Sequence, residues 1–388
     1  MQQPYYVTLT GSRNNAGDFL IRHRGHGLLR HVRPDREIVN MNAWEPFTSE
    51  QIAVINGARA LLLLGGPALR RDMYPAVYPL TEDLDRIKVP ITLMGAGWHA
   101  APGTWEESRR YRFTPPTLSL LQRIERDGAG LSVRDYRSLN TLHGAGIGGA
   151  VMTGCPALYD PEKLGMPLAW QPDQPFQNIV FSLGVTFIRS RGLEEQARTL
   201  ISEIRKAHPT AKLTVAFHHS IAEADLRAAY GNTLSAFAER HLALVEWLKG
   251  EGIAYADISG GVEKLMALYD AADFHIGYRV HAHIYTASQR KPSVLITEDG
   301  RGRGLKEVLG GLVYDSWMPA KYSTRERLLA KAKLLRGKDK FEAFTGIGDD
   351  VAAALSYERA HGAPRLGQPA GRIDLHYPIM EKFLQDLP

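Results

Sequence analysis

The sequence predicts an α/β chain in which two doubly wound parallel sheets face one another across a cleft, and three observations predict it. Short apolar runs without polar alternation, such as the leucines at 61–64 and VPITLM at 89–94, recur between amphipathic stretches. Strands buried on both faces read this way in parallel sheets. Strand and helix patterns alternate through both halves, as successive βαβ units demand. At 388 residues the chain can hold two cores of ordinary size, and a stretch at 163–177 with three prolines and no periodicity separates them. The predicted divisions are an N-terminal domain at 1–165, a linker at 166–177, a C-terminal domain at 178–345 and a helical tail at 346–388.

Taken in order, residues 5–10 alternate as a first strand, and the polar turn GSRNNAGD at 11–18 feeds a helix near Phe19 that Asp18 is suited to cap. Such a loop is a resting place for substrate hydroxyls or phosphate, and a plain βα turn accounts for the same residues. Residues 37–41 read as a strand, 49–56 as a helix, and 59–64 and 89–94 as buried strands. Both buried strands end in glycines, which bring backbone close to a ligand or to a neighbouring helix. An amphipathic helix at 115–126, a strand at 130–133 and a helix at 134–143 follow, with Arg134 and Asp135 at the mouth of the last. A guanidinium there serves either a carboxylate or phosphate, or an ion pair with Asp135. The spacing G-x-G-x-x-G at 144–149 is not a dinucleotide fingerprint, because a helix precedes it and a strand follows.

The second half repeats the alternation. Strands are expected at 178–183, 212–217, 253–257 and 293–297, helices at 193–208, 222–249 and 262–269, and a loop, EDGRGRG, at 298–304. His218 and His219 end the second of these strands, where adjacent rings diverge. The organising stretch is ADFHIGYRVHAHIYTASQRKP at 272–292: a short strand, a glycine hinge, then a helix stopped by Lys291-Pro292. Arg279, His281 and His283 therefore sit at a strand-to-helix junction, where the carboxyl edge of an open sheet binds ligands and free N–H groups attract anions. Residues two apart on a helix point about 200° away from each other, so one of the two histidines faces the crevice.

Composition narrows the classes. The 44% hydrophobic and 23% charged fractions are those of a globular protein. No apolar run reaches the roughly 20 residues of a membrane span, and the start MQQPYYVTLT lacks the features of a signal peptide, so a cytoplasmic location is expected. The single cysteine, Cys155 in a Gly-Cys-Pro turn, agrees with a reducing compartment and reads as inert. A net charge of +5 and a pI near 9.1 favour anions. The excess at 22–33 and 325–340 lacks the aromatic interleaving of a nucleic-acid surface. No histidine or carboxylate spacing calls for a metal.

With the segments placed, the motif order resembles the polysaccharide pyruvyl transferase family. The matching landmarks are NNAGDFLI at 14–21, LLLLGG at 61–66, ITLMGAG at 91–97, LSVRDYRSL at 131–139, VMTGCPAL at 151–158, Phe181-Ser182-Leu183, and Arg279-Val280-His281 ahead of Ala287 and Pro292. Together they cover roughly residues 5–310. The resemblance implies two Rossmann-like lobes arranged as in GT-B glycosyltransferases, and transfer of a pyruvyl group from phosphoenolpyruvate to a sugar as a cyclic ketal. By the family's Arg-x-His pattern His281 would be the general acid and Arg279 an anion clamp.

That chemistry needs several fixed cations for a phosphate and a carboxylate, which Arg134, Arg279 and either Arg301 or Arg303 would supply. It also needs an acid working near neutrality, the natural task of histidine. Asp18, or Asn14 and Asn15, would orient the acceptor, and His218 is a further candidate substrate contact. No cofactor or metal is implied beyond phosphoenolpyruvate as donor substrate. The expected partners are that donor and a sugar or lipid-linked glycan, with no nucleic acid; peripheral membrane contact and oligomeric state stay open. The sequence also departs from the pattern: Pro67 replaces a third glycine, Cys155 stands where aspartate is frequent, Gly277-Tyr278 precedes Arg279 where serine is usual, and Gly184 follows Ser182-Leu183 where the family has arginine. Arg189 and Arg191 lie in the same loop as candidate replacements. Two alternatives follow: a GT-B glycosyltransferase whose nucleotide ribose meets Glu298 or Asp299, and a non-catalytic glycan-binding relative.

Overall fold

A computed structural model describes residues 3–11, 15–128, 130–185, 188, 190–225, 235–323, 326 and 340–388. The first lobe is a six-stranded sheet of β1 (Tyr5–Thr10), β2 (Glu37–Asn42), β3 (Leu61–Leu64), β4 (Ile91–Ala96), β5 (Leu131–Val133) and β6 (Val151–Met152). The order is β2-β1-β3-β4-β5-β6, and every neighbouring pair is parallel. All residues of β3 and β4 are buried, which is why their sequences show no polar alternation. The second lobe comprises β7 (Asn178–Ser182), β8 (Lys212–Phe217), β9 (Ala254–Asp257), β10 (Phe274–Gly277), β11 (Ser293–Thr297) and β12 (Leu312–Asp315). Their order is β12-β11-β10-β7-β8-β9, again parallel throughout. A small antiparallel pair, β13 (Trp317–Pro319) with β14 (Phe341–Ala343), stands apart.

In each sheet the chain winds outward in opposite directions from one point, between β1 and β3 in the first lobe and between β7 and β10 in the second. Helices diverge to opposite faces there, which opens a crevice at the carboxyl edge. The two crevices meet.

The lobes are held together by continuous packing. All nine residues of the helix Val280–Ser288 are buried, and one hydrophobic core runs from Leu28, Leu64 and Leu158 to Ile284, Tyr285 and Leu305. Arg137 donates from Nε and Nη2 to Glu307 across the interface at 3.0 and 2.7 Å. The stretch expected as a loop at 298–304 is instead the start of a helix, Gly300–Leu309. Its three glycines, poor helix formers, hide it in the sequence. Two of them are explained by the other lobe: Gly300 lies against Gly103, and a side chain at 304 would strike Asp135. Strand β12, absent from the expected elements, completes the second sheet.

The last residues divide between the lobes. Helix Ile347–Ala360 packs Ile347, Val351 and Leu355 into the second core. Helix Gln368–Gln385 returns to the first, where Ile373, Met380 and Leu384 are buried and Tyr6 Oη donates to Pro388 at 2.7 Å. No described helix is long and apolar enough to cross a membrane.

Candidate functional site

The first helix, Ala16–Val32, begins directly beyond β1, and Asn15 rather than Asp18 caps it: the Asn15 side chain accepts from Gly17 N–H at 3.3 Å. Asn15 Nδ2 also donates to Asp18 Oδ2 at 3.1 Å. Asp18 is thus inside the first turn, with its carboxylate at the crevice. Burial raises its pKa, opposed by Asn15 and by the charges of Arg301, Arg134 and Arg279. Asn14 lies outside the described residues, as does Arg189.

Across the interface, β10 delivers Arg279 and His281. Arg279 occupies the N-cap position of Val280–Ser288 in an extended conformation. Its N–H donates to Ser182 Oγ at 3.1 Å and its Nε to the Leu183 carbonyl at 2.9 Å, so the end of β7 orients it. His281 rests on Gly17, where a side chain would overlap the imidazole. Its Nε2 is buried without a hydrogen-bond partner. Burial, then the charges of Arg134, Arg301 and Arg279, hold its pKa well below the usual histidine range, so the ring is neutral at pH 7. His283 points the other way, into the second lobe, where Nδ1 meets Ser293 Oγ at 2.6 Å. Ser293 in turn contacts His275, which contacts Ser182. Of the two histidines, the one facing the interlobe junction is His281.

Arg134 follows β5 and precedes the helix Tyr136–His143, whose N-cap is Asp135. Its guanidinium lies over Gly97, at a position that only glycine leaves open. The side chain is 2% exposed, and its single ion pair, Nε to Asp135, is long at 3.4 Å. Asp135 is otherwise engaged, accepting from Ser138 N–H at 2.7 Å. Among the described residues Nη1 and Nη2 of Arg134 are buried with no hydrogen-bond partner. Unpaired donors on a buried charge are costly, and each calls for a partner or a function to explain it.

Arg301 and Arg303 part company. Arg301 sits in the first turn of Gly300–Leu309, with Nε and Nη2 on Asp299 at 3.0 and 2.6 Å. Although burial opposes ionisation, Arg301 holds the Asp299 pKa down to about 2. The charge of Arg301 still reaches Asp18 and His281. Arg303 does not join them: Nε donates to Asp315 at 2.8 Å, Nη1 to the Pro102 carbonyl at 2.6 Å and Nη2 to the Trp317 carbonyl at 3.4 Å. Two residues further along the helix, it is turned away from the junction and braces the interface instead. Its assignment to the site is therefore corrected. His218 is also committed: Nε2 meets Tyr269 Oη at 2.9 Å, and its carbonyl accepts from Ala16 N–H at 3.4 Å. It ties β8 to the start of the first helix.

Glu298, a candidate ribose ligand, fills the space over Gly184 and accepts from Val185 N–H at 3.0 and 3.2 Å. The position where the family has arginine thus faces a carboxylate. Cys155 is buried beside Arg134, and burial pushes its thiol up to about 11, leaving it inert. Among the described residues no group of three histidine, cysteine, aspartate or glutamate side chains could hold a metal.

A cavity of about 350 Å³ opens in the first lobe at the β1/β3 crevice, and Asp18 is where it meets the charged cluster. Trp44, Tyr78 and Arg70 line it with Gly65 and Gly66. Trp44 and His99 are not among the sequence candidates, and the sequence marks His219 only as the end of a strand; His99 lies beside Arg301 and His219 beside Arg279. Each follows a strand end, the signal that revealed Arg134 and Arg279.

Known proteins agree with this architecture. UDP-GlcNAc 2-epimerase from Neisseria meningitidis superposes over 98% of this chain and 100% of its own, with TM-score 0.53 and 12% identity, so the fold is the two-lobed GT-B type. The UDP-forming trehalose-phosphate synthase from Burkholderia xenovorans covers 100% of this chain and 99% of its own at TM-score 0.45 and 12% identity. A search of curated proteins finds no match. The model of the polysaccharide pyruvyl transferase family matches residues 15–300, so this two-lobed chain with its arginine and histidine cluster belongs to that family of transferases.

Proposed function

We propose that the protein transfers the pyruvyl group of phosphoenolpyruvate to two hydroxyls of one glycan sugar, closing a cyclic ketal and releasing phosphate. The observation that carries this reading is the buried Arg134 guanidinium with two unpaired nitrogens, set among Arg279, Arg301 and neutral His281 where the two crevices meet. The donor offers a phosphate and a carboxylate on a three-carbon frame, and clustered guanidiniums suit both.

Donor binding brings negative charge into a cationic cluster. Part of the repulsion that keeps His281 neutral is then cancelled, so its proton affinity rises as the donor arrives. Protonated, it is the acid that adds a proton to C3 while the first sugar hydroxyl adds to C2. Asp18, between cavity and cluster, receives that hydroxyl's proton; the pKa raised by burial makes it a stronger base than an exposed aspartate. Cleavage of the C2–O bond sends its electron pair out with the phosphate. The second hydroxyl then adds to C2, and its proton leaves on hydrogen phosphate. Asp18's proton returns the pair to its starting state, so one diol and one phosphoenolpyruvate yield one ketal and one hydrogen phosphate.

The nucleotide-sugar reading is less well supported, because Glu298 is engaged by Val185 and Asp299 by Arg301. The deciding experiment incubates the protein with phosphoenolpyruvate and glycan acceptors, and separately with nucleotide sugars. Acceptor-dependent phosphate release, with one deuterium in the ketal methyl group in heavy water, is expected. Nucleoside diphosphate release without phosphate release would replace this reading with the other.

A further inference from the structure

An open groove of about 740 Å³ crosses the first lobe beside the site, lined by Arg71, Trp98, Ala100, Tyr111 and Arg112 among others. Consecutive residues line the two spaces, Arg70 the smaller cavity and Arg71 the groove. It also starts at the charged cluster: Trp98 and Ala100 flank His99, which feels the charges of Arg301 and Asp299. Leu69 is tied to the end of β4 by its N–H, which donates to the Gly97 carbonyl at 3.1 Å. The segment that carries Arg70 and Arg71 is thereby anchored to the end of β4.

The charge in this groove is unbalanced. Its two glutamates are used internally, Glu106 by Arg110 at 2.9 Å and Glu107 by the Thr104 N–H at 2.8 Å. Arg70 and Arg71 have no side-chain partner among the described residues, and Arg112 donates only to the neighbouring Tyr111 carbonyl, at 2.9 Å. Asp72 adds one acidic charge near Tyr111, which Arg70 opposes. Among the described residues the groove holds one accessible aromatic ring, the half-buried Tyr111, which packs edge to face on the buried Trp98 with ring centres 5.5 Å apart. A partly open tyrosine ring flanked by guanidiniums suits a sugar ring that carries acidic substituents.

Resting on the proposed pyruvyl transfer, in which Asp18 of the first lobe meets the acceptor hydroxyl, we infer that the acceptor is an extended anionic glycan. Its reacting sugar enters the cavity beside Asp18, and the following residues lie along the groove, with their carboxylate or phosphate groups on Arg70, Arg71 and Arg112. The cavity is at the small end of the about 300–1,000 Å³ of ligand sites, sized for one sugar and its substituents, and the groove provides for the rest.

Binding without donor tests this separately from the pyruvyl chemistry. The probes are oligogalacturonate, oligo(glycerol phosphate) and maltohexaose of matched length, titrated calorimetrically at low and high salt, with phosphatidylglycerol vesicles as a further arm. One or both anionic oligomers should bind at least about tenfold more tightly than maltohexaose, with a preference that salt erodes. The tighter of the two identifies the acidic group. The double variant Arg71→Ala/Arg112→Ala should lose most of that preference with an unchanged unfolding midpoint. Arg126→Ala, at an exposed position outside the groove, should keep it. Equal binding of the neutral oligomer, retention of the preference in the double variant, its loss in Arg126→Ala, or binding to vesicles alone would overturn the inference. Failure of the donor assay with these results intact would count against the pyruvyl reading only.

Discussion

Replacing Arg134 with methionine and Asp135 with asparagine together should make the free protein more stable and the donor-bound protein less so. The guanidinium is 2% exposed, with one long ion pair to the likewise buried Asp135 and two unsatisfied terminal nitrogens. Exchanging both members of a buried ion pair for uncharged side chains of similar shape is neutral to stabilising, by about 1–3 kcal/mol, whereas removing the arginine alone would strand a buried carboxylate; asparagine keeps the acceptor for Ser138 N–H. For lobes of this size that is about 2–4 °C in Tm per kcal/mol. Removing a charge that pairs with a buried anion costs about 2–4 kcal/mol, or about 30- to 1,000-fold in Kd. At phosphoenolpyruvate equal to 100 times the wild-type Kd, the wild type gains about 2.7 kcal/mol and a variant weakened 100-fold only about 0.4 kcal/mol. Thermal unfolding with and without donor should therefore show a donor shift about 2.3 kcal/mol smaller in the variant, which reverses the rank of the two proteins wherever the gain without donor is below that figure. A variant that is destabilised without donor, yet shifted by donor as much as the wild type, would refute the reasoning.

Gly17→Ala improves helix propensity by up to about 1 kcal/mol, but its methyl group would displace the His281 ring; turnover should fall about 100-fold while stability is kept, and normal turnover would detach the ring position from catalysis. Calorimetry of phosphoenolpyruvate binding in buffers of different ionisation enthalpy should show proton uptake that His281→Gln abolishes, because the donor raises a depressed histidine pKa; equal uptake in the variant would remove His281 as the responding group. Arg303→Met should lower stability by about 1–3 kcal/mol and leave donor Kd unchanged, since among the described residues Arg303 bonds to Asp315, Pro102 and Trp317; a donor defect would restore it to the site. His218, His241, His275, His281 and His283 are all buried with lowered pKa values. The unfolded chain takes up their protons below about pH 6.5 before the folded one does, so stability falls with pH, by on the order of 1 kcal/mol per histidine at pH 5.5. Urea unfolding at pH 7.5 and 5.5 checks this, and equal midpoints would contradict it.

How much of this was legible beforehand follows from what a linear pattern can encode. Buried parallel strands are unbroken apolar runs, so β3 and β4 stand out, and a residue just after a strand end is directed to the carboxyl edge by the fold itself. That rule located Arg134, Arg279 and His281. It did not reveal which strand ends meet, because the contact of Gly17 with His281 and of Gly300 with Gly103 belongs to the packing of one lobe on the other. The helix at Gly300–Leu309 was hidden for a related reason: its glycines argue against a helix locally, yet Gly300 and Gly304 admit the opposite lobe and Gly302 admits Thr297 of its own.

Periodicity held more than was taken from it. Residues two apart on a helix point nearly opposite ways, and the rule that divided His281 from His283 applies equally to Arg301 and Arg303. One member of each pair faces the junction, and the other is fixed in its own surroundings by Ser293 or by Asp315. What no pattern reveals is want of a partner. Arginine beside aspartate at 134–135 reads as a self-contained ion pair, yet Asp135 spends its better hydrogen bond on the Ser138 N–H and leaves the guanidinium buried and underused. What singles out this junction is therefore an arginine left short of partners between two lobes, and that feature exists only once both lobes are in place.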